Sequence, residues 1–574
     1  LVDFRVDIAD AHAHLFRVTL TLPRPAAAQL LALPVWIPGS YLVRDFARHL
    51  SAFSARQGRR AVLLQQRDKT SWVAACSGPT ALVVSYLVYA FDRSVRGAFL
   101  DAGRGFFNGS SLFLRAEGRE AEPQRLRLGR LPAGWQVATA MPTTAARRFE
   151  AGDYDELIDH PFEMGAFWRG RFEAGGVEHE FAVSGAWPSF DGERLLADAC
   201  RICSTQIRFW HGRGKPPFAR YVFLLHAADD AHGGLEHRAS TALSAARREL
   251  PQRGNAEGSD GYTGLLGLIS HEYFHAWNVK RLRPRDHQPL DLGREQPTTL
   301  LWFFEGFTAY YDDLLLLQAG LIDRARYLRL LAKAVNAVLA SPGRQVQSVA
   351  AASFDAWTKH YRSDENTANA TVSYYTKGAL VALLCDLALR TRSGATLDDA
   401  MRALWRRAAG GPLGEDDIAA VLVDLGGATL GSDLHGWVHG TAELPLAAAL
   451  ADVAVAWRHE PATLAARLGL KLSEGAVGGI HVKQVQRGSA AEAAGVAAGD
   501  ELLAADGWRL RRLDDARQWL GPARHFDLLA VRDQRLLTLR ITLPDSAFAP
   551  AITLHSDDTA PAAALARRRA WLGG

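Results

Sequence analysis

The chain has 574 residues, too many for one hydrophobic core, so about three or four domains are expected. A hydrophobic share of 48% with 22% charged residues excludes a disordered chain, and a net charge of only +4 without a long basic run excludes a dedicated nucleic-acid binder. Four cysteines are too few for a disulfide framework, and no apolar run approaches the ~20 residues that span a bilayer.

Leu1 is not an initiator methionine. A cytoplasmic protein is the expectation, with a periplasmic or secreted one left open because a signal can have been removed. Residues 1–165 read as mostly strand, with runs such as 16–22 and 82–89 that alternate or stay β-branched and aromatic between Gly, Pro and Asn turns. They suggest a β-sandwich. Pro34, Pro38 and Gly39 sit badly inside a regular element, so 34–41 is read as a packed surface loop. No chemistry is assigned to this region.

The texture changes near residue 166. A strand at 176–183 leads to a helix over 192–210, with Asp191 as its capping residue. Cys200 and Cys203 have CxxC spacing without a second pair, which makes them a helix face, not a zinc knuckle. A strand at 221–225 precedes Gly233, Gly234, Leu235, Glu236 and His237. Two glycines before an acid suggest backbone approached closely by another group. An ordinary turn with a solvated Glu236 is the simpler reading of the spacing.

The run 262–280 has helical character and carries His271, Glu272, Tyr273, Phe274 and His275. Residues four apart share a helix face, so His271 and His275 can offer two imidazoles to one metal ion while Glu272 stands beside them as a general base. An amphipathic helix with two surface histidines explains the five residues equally well when they are taken alone. A second helix begins near Leu301 and continues to Gln318. Glu305 is the only acid between Leu301 and Tyr311, among aromatics, and a carboxylate there is costly unless paired or bound to a metal. It has the character of a third zinc ligand, with a Glu at the solvent edge of an aromatic helix as the weaker alternative.

Helical patterns dominate 323–450, with Tyr374 and Tyr375 at the start of one helix. A tyrosine there is a candidate hydrogen-bond donor, although most tyrosines simply pack. New strands begin near Leu468, Asp506 and Gly507 mark a tight turn, and 562–572 fits a terminal helix. The implied organisation is a multidomain α+β chain: a β-rich domain at 1–165, a catalytic domain at 166–455 whose second half is helical, a further domain at 456–545, and a tail at 546–574.

Together these segments resemble the glycyl aminopeptidase family of zinc peptidases with a C-terminal PDZ domain, related to the aminopeptidase N family with its thermolysin-like core. The extended segment 271–281, the helix 302–308, the stretch 36–41 and the acidic 155–159 carry the resemblance. It implies one zinc per chain on His271, His275 and Glu305, with Glu272 as general base. Glu236 with Gly234 matches the segment that holds a substrate's free α-amine, although Leu235 and His237 replace the usual Met and Asn. Tyr375 matches a tyrosine that donates to the oxyanion. The 29 residues between His275 and Glu305 exceed the aminopeptidase N spacing, and the surplus in 281–297 is expected to loop out near the rim of the site. Residues 460–545 look like the PDZ domain, with Leu468, Gly469 and Leu470 in its carboxylate-binding loop and a C-terminal peptide as its candidate ligand.

The resemblance implies a zinc-dependent aminopeptidase acting on peptides with a free N-terminus, with Gly or Ala as suggested first residues. An endopeptidase or oligopeptidase on the same core is the first alternative, and a non-catalytic PDZ scaffold the second. Neither the oligomeric state nor the preferred first residue is encoded in any of these motifs.

Overall fold

The computed structural model describes residues 1–255, 258–475, 479–546, 548 and 551–573. The protein is a multidomain α+β chain that divides into two compact units. The first is Leu1–Gln296 with Gln318–Leu321 and Trp405–Leu413; the second is Pro297–Leu317 with Ile322–Leu404 and Gly414–Gly574. No helix among the described residues is long and apolar enough to cross a membrane.

The first unit opens with an eight-stranded sheet and two four-stranded sheets. Strand Leu15–Leu22 shows why they stack: Phe16, Val18, Leu20 and Leu22 are fully buried on one face while Arg17 points outward. Phe16 meets Phe107 of strand Arg104–Phe107 edge to face at 5.8 Å, and Phe4 meets Phe113 at 4.9 Å. Each such ring contributes roughly 1.5–3 kcal/mol on burial.

The stretch 34–41 is not a surface loop. Trp36 is 0% exposed and Tyr41 1%, because this stretch and residues 287–292 bury one another. The Val35 amide donates to the Leu292 carbonyl at 2.8 Å, and the Trp36 indole donates to the Asp291 carbonyl at 3.0 Å. The segment 281–297, expected to loop out, is tied down here and again by Arg283–Pro284, which pairs in parallel with Pro412–Leu413.

Next comes a five-stranded sheet in the order Trp168–Ala174, Val177–Ser184, Arg220–Ala228, Ser240–Ala246, His232–Glu236. The last of these is the terminal strand, antiparallel to Ser240–Ala246, with Gly234 opposite Leu243 and Glu236 opposite Thr241. Helix Gly192–His211 starts at the expected cap, the Asp191 side chain accepting from the Arg194 amide. It packs on helix Asp260–Phe274 through Gln206, whose amide donates to the Ser270 carbonyl at 2.8 Å. Cys203 is fully buried on its inner face, a packing residue as expected.

The second unit is built around helix Tyr374–Arg392, apolar on every side and therefore enclosed by other helices. Its one fully buried acid, Asp386, is satisfied by the Tyr310 hydroxyl at 2.7 Å, the Leu397 amide at 2.9 Å and Arg390 at 3.0 Å. Strand Val455–His459 pairs antiparallel with Ile552–Ser556, so the predicted tail also supplies a strand. Its helix, Ala562–Leu572, returns Trp571 to donate to the Tyr310 hydroxyl at 3.1 Å.

Between those two strands lies a sheet in the order Leu470–Gly475, Gly479–Val485, Glu501–Ala505, His525–Arg532, Arg535–Thr542, with Trp508–Arg509 paired to its centre. Asp506 and Gly507 both have positive φ, 48° and 78°, the signature of the tight turn expected there. The expected carboxylate loop also has a local structural role. Leu468 is buried at the end of helix Leu464–Leu468, and the Gly469 amide caps that helix by donating to the Ala465 carbonyl. Asn369 of the helical part grips this module from outside, donating to the Val485 carbonyl at 2.9 Å and accepting from the Arg487 amide at 2.8 Å.

Candidate active site

Helix Asp260–Phe274 begins at Ser259, whose hydroxyl accepts from the Tyr262 amide, and stops six residues earlier than the pattern suggests. The reason is visible in the last turn. Ala276 and Trp277 donate to Tyr273 and Phe274, three residues back, and Val279 then takes a φ of 113°. His275 thus caps the helix and turns its ring back towards His271. The His275 Nδ1 lies 2.7 Å from the Asn278 carbonyl oxygen, a contact that requires the proton on Nδ1 and makes Nε2 the nitrogen that carries the lone pair. That Nε2 stands 3.0 Å from Nε2 of His271.

Glu305 sits at the junction of helices Leu301–Phe304 and Gly306–Gln318, 2% exposed among aromatics. His271, His275 and Glu305 each offer one ligand atom, all within 4.8 Å of one another. Two imidazole nitrogens and a carboxylate oxygen are zinc donors, and a tetrahedral ion with bonds of about 2.1 Å needs them roughly 3.4 Å apart. The donor set fits the metal. Glu272, 5% exposed, is not a member of this group.

The terminal strand His232–Glu236 runs against the metal helix. A Cβ placed on Gly234 would lie 2.0 Å from Oε1 of Glu272, so this glycine exists to let the backbone pass the carboxylate. The Gly234 carbonyl in turn accepts from Arg96 at 3.2 Å. Glu236 is 4% exposed, not solvated, and the simple-turn reading is overturned. A Cβ on Gly39, which has a φ of 97°, would come within 2.3 Å of its Oε1. Residues 34–41 therefore contribute one wall around Glu236. Contacts across nearly 200 residues leave no periodic signal, and only the clustered turn residues at 34–41 marked the segment as unusual.

His237, in place of the usual Asn, is buried with Nδ1 at 3.1 Å from Oδ1 of Asp159. Burial pushes the His237 pKa down, outweighing the pull of Asp159, so its ring is neutral. Burial alone would raise the Asp159 pKa; Lys280 at 2.7 Å and His237 reverse that, holding the carboxylate well below its ordinary range.

In the second unit, Tyr375 lies in the first turn of helix Tyr374–Arg392, whose cap Ser373 accepts from the Thr376 amide. Its ring stacks on Tyr374 at 4.8 Å, and its hydroxyl is 3.4 Å from that of Tyr361. Burial, and then the charge of Glu305, push its pKa well above that of a free phenol, so it stays a protonated donor. Glu305 and Tyr375 are brought together by glycines. A Cβ on Gly306 would lie 2.5 Å from the Gly378 Cα, so the two helices touch backbone to backbone. Tyr361 and His360, which packs 5.4 Å from Tyr375, were not singled out in the sequence because neither belongs to a motif.

The Gly234 contact makes a direct prediction. Gly234→Ala keeps an allowed backbone but drives a methyl into the Glu272 carboxylate, so if Glu272 is the general base that the resemblance implies, kcat should fall by about 10²-fold. Steady-state kinetics beside a thermal melt check it: a large loss of turnover with little loss of stability is expected.

Family models match the chain in three parts: a Peptidase M61 N-terminal domain over residues 3–166, an M61 glycyl aminopeptidase over 264–381 and a PDZ domain over 481–532. Among solved structures, an aminopeptidase N family protein from Idiomarina loihiensis is 35% identical over 100% of both chains, with a TM-score of 0.94. An M1 zinc metallopeptidase from Deinococcus radiodurans is 16% identical, with a TM-score of 0.48 over 78% of this chain and 94% of that one. A search of curated proteins found no match.

Proposed function

The chain belongs to the M61 glycyl aminopeptidase family with a PDZ domain, and from that premise we propose that it is a zinc-dependent aminopeptidase removing the first residue of peptides with a free N-terminus. The observation that carries this reading is the convergence of His271, His275 and Glu305 with the buried Glu272 beside two of them. Zinc bound there would supply Lewis-acid polarisation of the scissile carbonyl and acidify the attacking water.

Glu272 takes the proton of that water as it adds to the carbonyl carbon, and returns it to the leaving amine. The Tyr375 hydroxyl, kept protonated by its surroundings, donates to the oxygen that gains charge, a type of contact typically contributing roughly 3–4 kcal/mol. Glu236 pairs with the substrate ammonium, which limits cleavage to the first peptide bond. The wall of residues 34–41 around Glu236 favours small first residues such as Gly or Ala. In the PDZ domain, a C-terminal peptide would pair along Leu470–Gly475, the terminal strand of that sheet.

N-acetylation tests the end of the peptide that is read. A tripeptide such as Gly-Ala-Ala should be cleaved after its first residue, and its acetylated form should resist by at least about 10²-fold. Equal rates on both would replace the aminopeptidase with the endopeptidase reading. Dialysis against a chelator should abolish turnover, and one equivalent of zinc per chain should restore it.

A further inference from the structure

One carboxylate, Asp159, its side chain 11% exposed, spans two segments of the first unit that carry chemistry. Its Oδ1 accepts from His237 at 3.1 Å and from the Lys280 ammonium at 2.7 Å, and its Oδ2 accepts from the Arg238 amide at 3.0 Å. His237 and Arg238 directly follow Glu236. Lys280 is joined to a metal-ligand position by its own amide, which donates to the His275 carbonyl at 3.1 Å. A second tie runs parallel to the first: the Arg281 guanidinium donates to the Arg238 carbonyl at 2.9 Å and to the Ala276 carbonyl at 2.5 Å.

The separation between the α-amine and the first carbonyl carbon of a peptide is set by covalent bonds. An enzyme that holds the amine at one point and attacks the carbonyl at another must fix those points to within a fraction of an ångström, since a shift of about 1 Å costs about 10²-fold. Glu236 lies on a terminal strand with one neighbour in the sheet, and His275 lies beyond the last turn of its helix. Neither position is rigid by its secondary structure alone.

We propose that Asp159 is a positioning residue that latches the amine-binding strand to the end of the metal-binding helix, and so sets the register at which a peptide is cut. The inference rests on the reading of Glu236 as the amine anchor. Asp159 touches no reacting atom; it acts through His237, Arg238 and Lys280. The ordered pairing also accounts for His237, which Asp159 holds by its Nδ1, and for Lys280, which is 9% exposed and has its counter-charge within the fold.

The test compares two small zinc-directed ligands, alanine hydroxamate and propionohydroxamate, which differ only in the α-amine. Binding is measured by calorimetry on the zinc-loaded full chain. Wild type should prefer the amine-bearing ligand, and Glu236→Gln should abolish that preference. Asp159→Asn, which keeps size and removes charge, should reduce it about tenfold at unchanged zinc content and release some dipeptide beside the single residue from a tetrapeptide. If Glu236→Gln keeps the preference, the amine-anchor reading itself fails. If Glu236→Gln loses it while Asp159→Asn keeps it, the latch alone is overturned. Equal weakening of both hydroxamates by Asp159→Asn also overturns the latch, because a merely structural residue behaves that way. Should Asp159→Asn not fold, the double variant Asp159→Asn with Lys280→Met removes the stranded ammonium and is read in the same way.

Discussion

Glu272→Gln is expected to leave the protein folded and holding one zinc per chain while lowering kcat by about 10³-fold or more, about 4 kcal/mol of barrier. The expectation follows from where the carboxylate sits. His271 and His275 flank it in sequence, yet the three convergent donors are those histidines and Glu305, so the metal loses no ligand when Glu272 becomes an amide. Gln has the same outline, so the close approach of the Gly234 backbone is preserved. What disappears is the property proposed for Glu272, a group that accepts a proton from water and gives it back to the leaving amine. KM should move little, because substrate binding is assigned to other residues. Metal analysis and steady-state kinetics on the same preparation decide it. A variant with near-normal kcat would remove Glu272 from the reaction, and one that loses its zinc would make Glu272 a ligand.

The parts of the site that were legible in the sequence are those whose chemistry is local. His271, Glu272 and His275 need only one helical turn to converge, and the turn was readable from periodicity even though the helix ends at Phe274 instead of running to residue 280. Glu305 was legible for an energetic reason: a lone acid inside an aromatic run must be compensated. The same logic exposes Asp386, which the fold satisfies with a tyrosine, an amide and an arginine and not with a metal.

Glu236 shows the opposite case. Local spacing favours a solvated turn, whereas Gly39 packs against its carboxylate and residues 34–41 are in turn covered in part by residues 287–292. Two segments that each read as loops become interior by covering one another, and no propensity on either segment encodes that. Asp159 was visible as part of an acidic motif, but its task emerged only when His237, Arg238 and Lys280 were seen around it. Gly469 is a related case. The resemblance places it in a carboxylate-binding loop, and the structure adds that its φ is 73° and its amide caps the preceding helix.

Gly378→Ala should destabilise the second unit and weaken zinc binding together. Two effects of opposite sign compete. Alanine in a helix interior gains about 1 kcal/mol over glycine from backbone entropy. Against it, a Cβ at 378 would lie 2.5 Å from the Trp302 carbonyl oxygen, 2.9 Å from the Gly306 Cα and 3.1 Å from the Trp302 Cα. All three are backbone atoms, which no rotamer change can move aside, so helix Tyr374–Arg392 has to separate from helices Leu301–Phe304 and Gly306–Gln318. Overpacking of this kind costs about 1–3 kcal/mol and exceeds the entropic gain. Because the separation opens between Glu305 and Tyr375, the same methyl displaces the proposed ligand and the proposed oxyanion donor, and zinc affinity should fall about 10- to 100-fold, the range seen when a ligand's supporting contacts are lost. Thermal unfolding and a competitive zinc titration read the two effects separately. An alanine variant that melts at or above the wild-type temperature with unchanged zinc affinity would show that the glycine pair does not hold the two helices in register.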